Sequence, residues 1–306
     1  MIIKSKHQIL TPAKASIVDQ DTAKKVFKDI LKASLPVGYQ QANCHNLSHY
    51  ISLLLESKGI ITSKIWAFSP GIYSNSNSQL ITFIDKKELS PNGTIDWGYH
   101  VATVLHVNDG IETHQMVIDL ELFPKGLVHY KTWLDKLKTK KLISLMLDFE
   151  WYLFNSTMIP NSQLKYDANG ILNSKLKNII LPETFSDKLI DDFYKYTDDS
   201  LQNQWLEKGL AINATAVEFY TEEIAPLLKL NNQAQLINDY KNLVGNVFNF
   251  ETVFRDNRWN YDMTTDFQNQ YYTIINKYRE IYNNNLIKWG LSVANLKNII
   301  DSKQFE

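Results

Sequence analysis

The sequence predicts an α+β fold in which a helix packs on an antiparallel sheet, followed by a mostly α-helical domain. Between residues 62 and 120, short segments rich in β-branched and aromatic residues alternate with turn sequences, which is typical of strands. After about residue 130, apolar residues recur at helical spacing and strand signals are few. We place the boundary near residue 155, which gives an α+β domain over residues 1–155 and a helical domain of unknown role over residues 156–306.

The first domain opens with two helices that have clear end signals. Asp21 or Thr22 can cap a helix that ends near Ala33. A second helix is predicted from about residue 43 to residue 58 and stops at Gly59, a residue type common just after helices. The predicted strands span residues 62–68, 79–85, 97–107 and 112–120. In the second domain, helices are predicted over residues 187–196, 215–230, 233–244 and 264–288.

Composition and charge exclude several classes of protein. Hydrophobic residues make up 44% and charged residues 21%, the balance of a soluble globular protein. The net charge of −1 lacks the basic excess that nucleic-acid binding requires. No stretch reaches the roughly 18 apolar residues of a membrane span, because Asp148 and Glu150 interrupt the best run. No secretory signal is visible, so we expect a cytoplasmic protein, or an effector exported without a signal peptide.

The chain contains a single cysteine, Cys44, at the start of the second predicted helix. One cysteine excludes an internal disulfide and a multi-thiolate zinc site. Cys44 shares the apolar face of its helix, so its sulfur points toward whatever the helix packs on. The positive end of the helix dipole lies at this turn and favours the nucleophilic thiolate. A lone cysteine is also often a small buried apolar residue, and its position alone leaves both interpretations open.

Two histidines on the same helix suggest a metal site only weakly. His45 and His49 are four residues apart, a spacing that can bind zinc, and the helical wheel places them opposite the apolar face. Asn46 stands where the metalloprotease motif has its general base, and no third ligand is evident. We therefore predict no metal, and expect two histidines at the surface or against loops.

A hairpin signal places a histidine opposite a carboxylate. Asp109-Gly110 favours a two-residue type I′ turn between the last two predicted strands. With that turn, His100 lies directly opposite Asp119, with Cβ atoms about 4.5–5.5 Å apart. An imidazole and a carboxylate at this distance can share a hydrogen bond that fixes the imidazole tautomer. The spacing thus predicts a contact between His100 and Asp119, and a chance pairing of the two residues is the alternative.

Cys44, His100 and Asp119 occur in strings that resemble the bacterial protein-glutaminase family, which deamidates glutamine in proteins. The strings are N-C-H-N-L-S-H at 43–49, W-G-Y-H-V-A at 97–102 and I-D-L-E-L-F at 118–123. The resemblance implies a papain- and transglutaminase-like Cys–His–Asp site on a helix-plus-antiparallel-sheet core, with Cys44 as nucleophile, His100 as base and Asp119 as orienting carboxylate. It also implies a glutamine-bearing protein or peptide as substrate, and no cofactor.

The remaining site residues and the reaction leave alternatives open. Gln40 or Gln41 is the candidate side-chain donor to the oxyanion. Trp97, Tyr99 and Trp66 are candidate walls of the substrate pocket, or aromatic residues of the sheet core. The same triad serves a thiol peptidase, an acyltransferase or a transglutaminase, and a non-catalytic binding protein can retain such a site. The sequence gives no indication of oligomeric state.

Overall fold

A computed structural model describes residues 7–9, 15–39, 44–73, 79–85, 93–137, 142–154, 193–196, 203–244 and 265–303. The predicted fold class is confirmed: a helix packs on an antiparallel sheet in the N-terminal part, and a mostly helical region follows. The predicted boundary near residue 155 lies outside the described residues.

The described strands are, in chain order, β1 (His7–Ile9), β2 (Ile17–Asp19), β3 (Ser63–Phe68), β4 (Ile81–Ile84), β5 (Thr94–Trp97), β6 (Tyr99–Asn108), β7 (Thr113–Ile118), β8 (Val128–His129), β9 (Ile143–Asp148), β10 (Trp151–Phe154) and β11 (Phe193–Lys195). The main sheet has the order β1-β9-β3-β6-β7-β8, and β2 pairs with β6 beyond the end of β3. The central strand β6 is antiparallel to both β3 and β7, whereas β1 and β2 add parallel pairs. Two smaller sheets pair β4 with β5 and β10 with β11.

The described helices are α1 (Gln20–Lys32), α2 (Cys44–Glu56), α3 (Pro70–Tyr73), α4 (Tyr130–Lys136), α5 (Asn203–Phe219), a π-helical turn (Tyr220–Ile224), α6 (Ala225–Leu227), α7 (Ala234–Val244), α8 (Thr265–Gln270) and α9 (Tyr272–Lys303). The cap of α1 is Asp19, whose carboxylate accepts from the Thr22 N–H at 2.7 Å, and not Asp21 or Thr22 as predicted. Helix α2 begins at Cys44 and is followed by Gly59 with φ +82°, a conformation that favours glycine.

Three of the described strands after residue 130, β9, β10 and β11, were not predicted. The run from residue 142 to residue 154, considered above only as a membrane-span candidate, forms β9 and β10. Strand β9 is buried along almost its whole length, so it shows an unbroken apolar run and no polar alternation. Such a run cannot be distinguished from a buried helix by periodicity. Strand β11 likewise lies where a helix was predicted over residues 187–196.

The chain divides into two compact units. Unit 1 consists of residues 1–33, 48–82 and 96–203, and contains the main sheet. Unit 2 consists of residues 34–47, 83–95 and 204–306. Helix α2 runs through the division: its first turn, with Cys44, belongs to unit 2, and its remainder from Ser48 belongs to unit 1.

Within the described part of unit 1, three residue pairs make polar contacts from α2 to β3, to β6 and to Thr62, the residue before β3. The Ser48 hydroxyl lies 3.1 Å from the Thr103 hydroxyl on β6. One turn further on, the Ser52 hydroxyl accepts from Thr62 at 3.0 Å. The third contact joins His49 to Lys64 on β3 and is described with the site. All of these groups are buried, so the helix is held by hydrogen bonds as well as by apolar packing.

Within unit 2, the long helix α9 packs against α5 and the π-helical turn. The Asn285 side chain donates to the Thr215 hydroxyl at 3.0 Å, and the Tyr278 hydroxyl donates to Glu222 at 3.0 Å. Among the described residues, no helix is both long enough and apolar enough to cross a bilayer.

Candidate active site

The loop between β6 and β7 differs from the predicted two-residue turn. Asn108 pairs with Thr113, so residues 109–112 form a four-residue loop. Gly110 has a positive φ of +96°, but Asp109 does not, and a type I′ turn requires both. The Asp109 carboxylate accepts from the backbone N–H groups of Ile111 and Glu112, which stabilises the longer loop. The predicted register was therefore wrong by two residues.

The predicted contact between His100 and Asp119 is nevertheless present. His100 Nε2 lies 2.8 Å from Asp119 Oδ2, and both side chains are buried. A register shift of two residues keeps side chains on the same face of a sheet, and diagonal neighbours remain within reach of a long side chain. Because a carboxylate only accepts hydrogen bonds, Nε2 carries the proton and donates it, which assigns the basic lone pair to Nδ1.

Three further donors hold the Asp119 carboxylate in place. The Trp133 indole N–H donates to Oδ2 at 2.7 Å. The backbone N–H groups of Glu121 and Leu122 both donate to Oδ1 at 3.1 Å. The turn that follows β7 thus closes on the carboxylate, as short turns after an aspartate commonly do. Among the described residues, the Asp119 carboxylate accepts four hydrogen bonds, and this arrangement favours its ionised form.

Burial and hydrogen bonding have opposite effects on the pKa of Asp119. Burial alone raises the pKa of Asp119, because an ionised carboxylate loses hydration. The charge and hydrogen bond of His100 act in the opposite direction, together with the hydrogen bonds from Trp133 and Leu122. Their sum lowers the pKa of Asp119 below its ordinary value. Asp119 is therefore ionised at neutral pH and suited to stabilise an imidazolium.

Two tryptophans enclose the His100 ring. Trp97 stacks on one side with ring centroids 4.2 Å apart and planes 8° apart, and Trp133 stacks at 5.6 Å and 19°. Both indoles are buried. Trp97 was a predicted pocket residue, whereas the sequence analysis did not assign Trp133 to the site. Trp133 lies in α4, beyond β8, and no local sequence pattern connects it with Asp119.

The other predicted site residues lie elsewhere or outside the described residues. Trp66 and Tyr99 contact each other at 5.6 Å between ring centroids, in an aromatic cluster with Phe68 and Phe154. Gln40 and Gln41 lie outside the described residues. Cys44 is half-buried at the first position of α2 in unit 2, whereas His100 and Asp119 belong to unit 1. The roles of these residues stay predictions.

The expectation that His49 lies at the surface or against a loop was wrong. His49 is buried, and its Nδ1 lies 2.6 Å from Lys64 Nζ on β3. The rings of Tyr152 and Tyr196 contact it at 5.0 and 4.3 Å between centroids. The helical-wheel argument failed because α2 is buried around most of its circumference and has no single apolar face.

Lys64 is a second feature that the sequence did not indicate. It is fully buried, and its Nζ donates to the Trp151 carbonyl at 2.8 Å. Burial holds its pKa well below the ordinary value of lysine. Within the described ranges, no three His, Cys, Asp or Glu side chains are grouped so as to hold a metal ion.

Comparison with known proteins found a family match over the segment that contains these residues. A protein-family model described as glutaminase, for glutamine deamidases, matches residues 20–137, a segment that includes Cys44, His100 and Asp119. Residues 20–137 are therefore similar to the protein-glutaminase family. The proteins that this family model describes are glutamine deamidases.

Solved structures of protein-glutaminases are similar to this chain. The NMR structure of protein-glutaminase from Chryseobacterium proteolyticum is 18% identical, with 51% of this chain and 84% of that chain covered and a TM-score of 0.38. A crystal structure of protein-glutaminase is 14% identical, with coverage of 61% and 95% and a TM-score of 0.36. A crystal structure of pro-protein-glutaminase is 15% identical, with coverage of 71% and 64% and a TM-score of 0.42. Among curated proteins, no sequence matches the chain.

Proposed function

We propose that this chain deamidates glutamine side chains in a protein or peptide through a thioester on Cys44. The observation that carries the proposal is the buried His100–Asp119 pair, which lies within the segment that matches the glutaminase family. The same segment contains the only cysteine of the sequence, at the start of a helix. A nucleophile, a base and a group that orients the base are what acyl transfer from an amide requires.

The first half of the reaction forms the thioester. His100 Nδ1 takes the proton from Cys44 Sγ, and the thiolate attacks the side-chain carbonyl carbon of glutamine. The Cys44 backbone N–H, at the first position of a helix, has no acceptor within that helix and stabilises the oxyanion. Gln40 or Gln41 supplies the second donor. The imidazolium then gives its proton to the amide nitrogen, so the C–N bond breaks and ammonia leaves.

The second half releases glutamate. His100 Nδ1 removes a proton from a water molecule, whose oxygen attacks the thioester carbonyl. The C–S bond breaks, the sulfur regains its proton from the imidazolium, and a glutamate side chain remains on the substrate. Asp119 stays ionised throughout and stabilises the imidazolium through the Nε2 hydrogen bond. No cofactor takes part in these steps.

The test measures ammonia release from a glutamine-containing peptide, together with mass spectrometry of that peptide. We expect ammonia and conversion of glutamine to glutamate with the wild-type chain, and neither with Cys44→Ala. Backbone cleavage without ammonia would instead indicate a thiol peptidase. Ammonia release accompanied by incorporation of an added amine would indicate a transglutaminase.

The reactivity of the Cys44 thiol distinguishes the proposed enzyme from a non-catalytic binding protein. Because Cys44 is the only cysteine, iodoacetamide labels this position alone. The proposed function requires alkylation at neutral pH that is faster in the wild type than in His100→Ala, because the imidazole stabilises the thiolate. Equal alkylation rates in the two proteins, without ammonia release, would contradict it.

A further inference from the structure

Helix α5, which lies outside the segment that matches the glutaminase family, approaches α2 very closely within unit 2. A Cβ atom placed on Gly209 would overlap the Asn46 side-chain amide, including its Nδ2, Cγ and Oδ1 atoms. Gly209 lies in the interior of α5, where glycine costs about 1 kcal/mol relative to alanine. The glycine therefore has a steric reason, since no other residue type allows the Asn46 amide to lie against the α5 backbone.

Asn46 lies in the same helical turn as Cys44. It is the third residue of α2 and is 2% exposed, with its side chain against α5. Because the Asn46 side chain is buried, its amide has little room to rotate away, and two residues along a helix correspond to a rise of only about 3 Å, so a backbone shift at Asn46 also shifts Cys44. The position of the sulfur thus depends on how closely α2 and α5 approach each other.

A second contact holds the chain on the other side of Cys44. The Tyr39 hydroxyl donates to the Val244 carbonyl at the end of α7 at 2.9 Å, and Tyr39 is buried. Tyr39, Asn46, Gly209 and Val244 all belong to unit 2. Tyr39 before Cys44 and Asn46 after it therefore both contact helices of the C-terminal region.

We propose that the C-terminal helices position the nucleophile: Asn46 seated on Gly209, with Tyr39 bound to Val244, sets the reactivity of Cys44. Asn46, Gly209 and Tyr39 are positioning residues, which act on Cys44 through the backbone. The consequence for catalysis rests on the proposed deamidase function. The consequence for the thiol itself does not, because alkylation of Cys44 requires no glutamine substrate.

The principal test compares two glycine-to-alanine variants of the full chain. Gly209→Ala forces the Asn46 amide away from α5, whereas Gly290→Ala in α9 meets nothing within 4 Å and is the matched control. We expect Gly209→Ala to change the rate of Cys44 alkylation by iodoacetamide at least tenfold. We also expect kcat for ammonia release to fall by a similar factor with KM unchanged. Gly290→Ala should stay within twofold of the wild type in every measurement.

A double variant separates positioning from general damage to the helical region. Asn46→Ala removes the three atoms that a Cβ on Gly209 would overlap. The double variant Gly209→Ala/Asn46→Ala should therefore recover the alkylation rate and kcat of Asn46→Ala alone. An unchanged alkylation rate in a folded Gly209→Ala protein would overturn the proposal. A double variant that is more impaired than Asn46→Ala alone would also overturn it.

If Gly209→Ala does not fold, a pair of tyrosine variants decides the question. Tyr39→Phe removes the hydrogen bond to Val244, and Tyr271→Phe removes a tyrosine hydrogen bond to Asp239 elsewhere in unit 2. We expect a several-fold change in the Cys44 alkylation rate with Tyr39→Phe only. Equal rates in the two variants would refute the proposal. Failure of the wild type to release ammonia would refute the deamidase function and leave this comparison intact.

Discussion

Replacement of Trp133 by phenylalanine isolates one hydrogen bond to the orienting carboxylate. The indole N–H donates to Asp119 at 2.7 Å, and Asp119 is buried and ionised. A hydrogen bond to a charged group contributes about 1.5–3 kcal/mol to stability. Trp133→Phe removes this bond and also some packing around His100. Trp97→Phe removes comparable packing around the same ring without a hydrogen bond to Asp119, so it is the matched control.

The free energy of unfolding in urea should therefore fall by about 1.5–3 kcal/mol more in Trp133→Phe than in Trp97→Phe. The pH dependence has a defined sign. The pKa of Asp119 is lowered in the folded protein, so its contribution to stability is present above the unfolded pKa and is lost on acidification. Loss of the Trp133 donor raises that pKa and moves the loss to higher pH. The acid limb of ammonia release should move in the same direction.

Two results would refute this reasoning. Equal destabilisation of the two variants would mean that the Trp133 hydrogen bond contributes nothing beyond packing. An acid limb at the same pH in Trp133→Phe and in the wild type would mean that the ionisation of Asp119 does not limit activity. The relevant measurement is the pH at which activity falls on the acid side of the profile. Loss of a substrate contact at Trp97 would change the maximal rate and not that pH.

Three further predictions concern Asp119, Lys64 and Asn213. Asp119→Asn should lower kcat for ammonia release by on the order of 10⁴, because an amide does not hold the required imidazole tautomer; a loss below tenfold would contradict the assigned role. Burial lowers the pKa of Lys64 in the folded protein. Between this lowered pKa and the ordinary lysine pKa, the unfolded chain binds more protons than the folded chain, so the free energy of unfolding rises with pH. Lys64→Met should reduce that rise in urea titrations at several pH values, and an unchanged rise would exclude Lys64 as its source. Within the described chain, neither amide atom of buried Asn213 has a hydrogen-bond partner. Asn213→Leu should therefore raise the free energy of unfolding by about 1–3 kcal/mol. A decrease would show that the amide forms hydrogen bonds in solution.

The sequence predicted the His100–Asp119 contact correctly although the predicted turn between β6 and β7 was wrong. Asp109 accepts two backbone N–H groups and lengthens the loop, which local sequence rules for Asp-Gly did not capture. The resulting shift of two residues preserves the face of each strand, so the two side chains still meet. A shift of one residue would have separated them. Alternation along a strand is thus a stronger basis for inference than turn type.

Contacts between segments that are distant in the chain could not be predicted from the sequence. Trp133 reaches Asp119 only because α4 follows β8, and Lys64 reaches His49 only because α2 lies on β3. Both depend on tertiary packing, for which helical and strand periodicity give no signal. Gly209 shows the same limit: it lies in the part of α5 before residue 215, where no helix was predicted, and the reason for the glycine is the Asn46 amide of another helix.

The stacking of Trp97 and Trp133 on His100 has a consequence for the motion of the imidazole. A half-turn of the ring about its Cβ–Cγ bond would exchange the two nitrogen atoms, but it requires the ring to rotate between two buried indoles. It also breaks the hydrogen bond to Asp119. Such flips are therefore rare, and the proton on Nε2 is shielded from exchange with bulk water. It should give a persistent low-field resonance in a proton NMR spectrum.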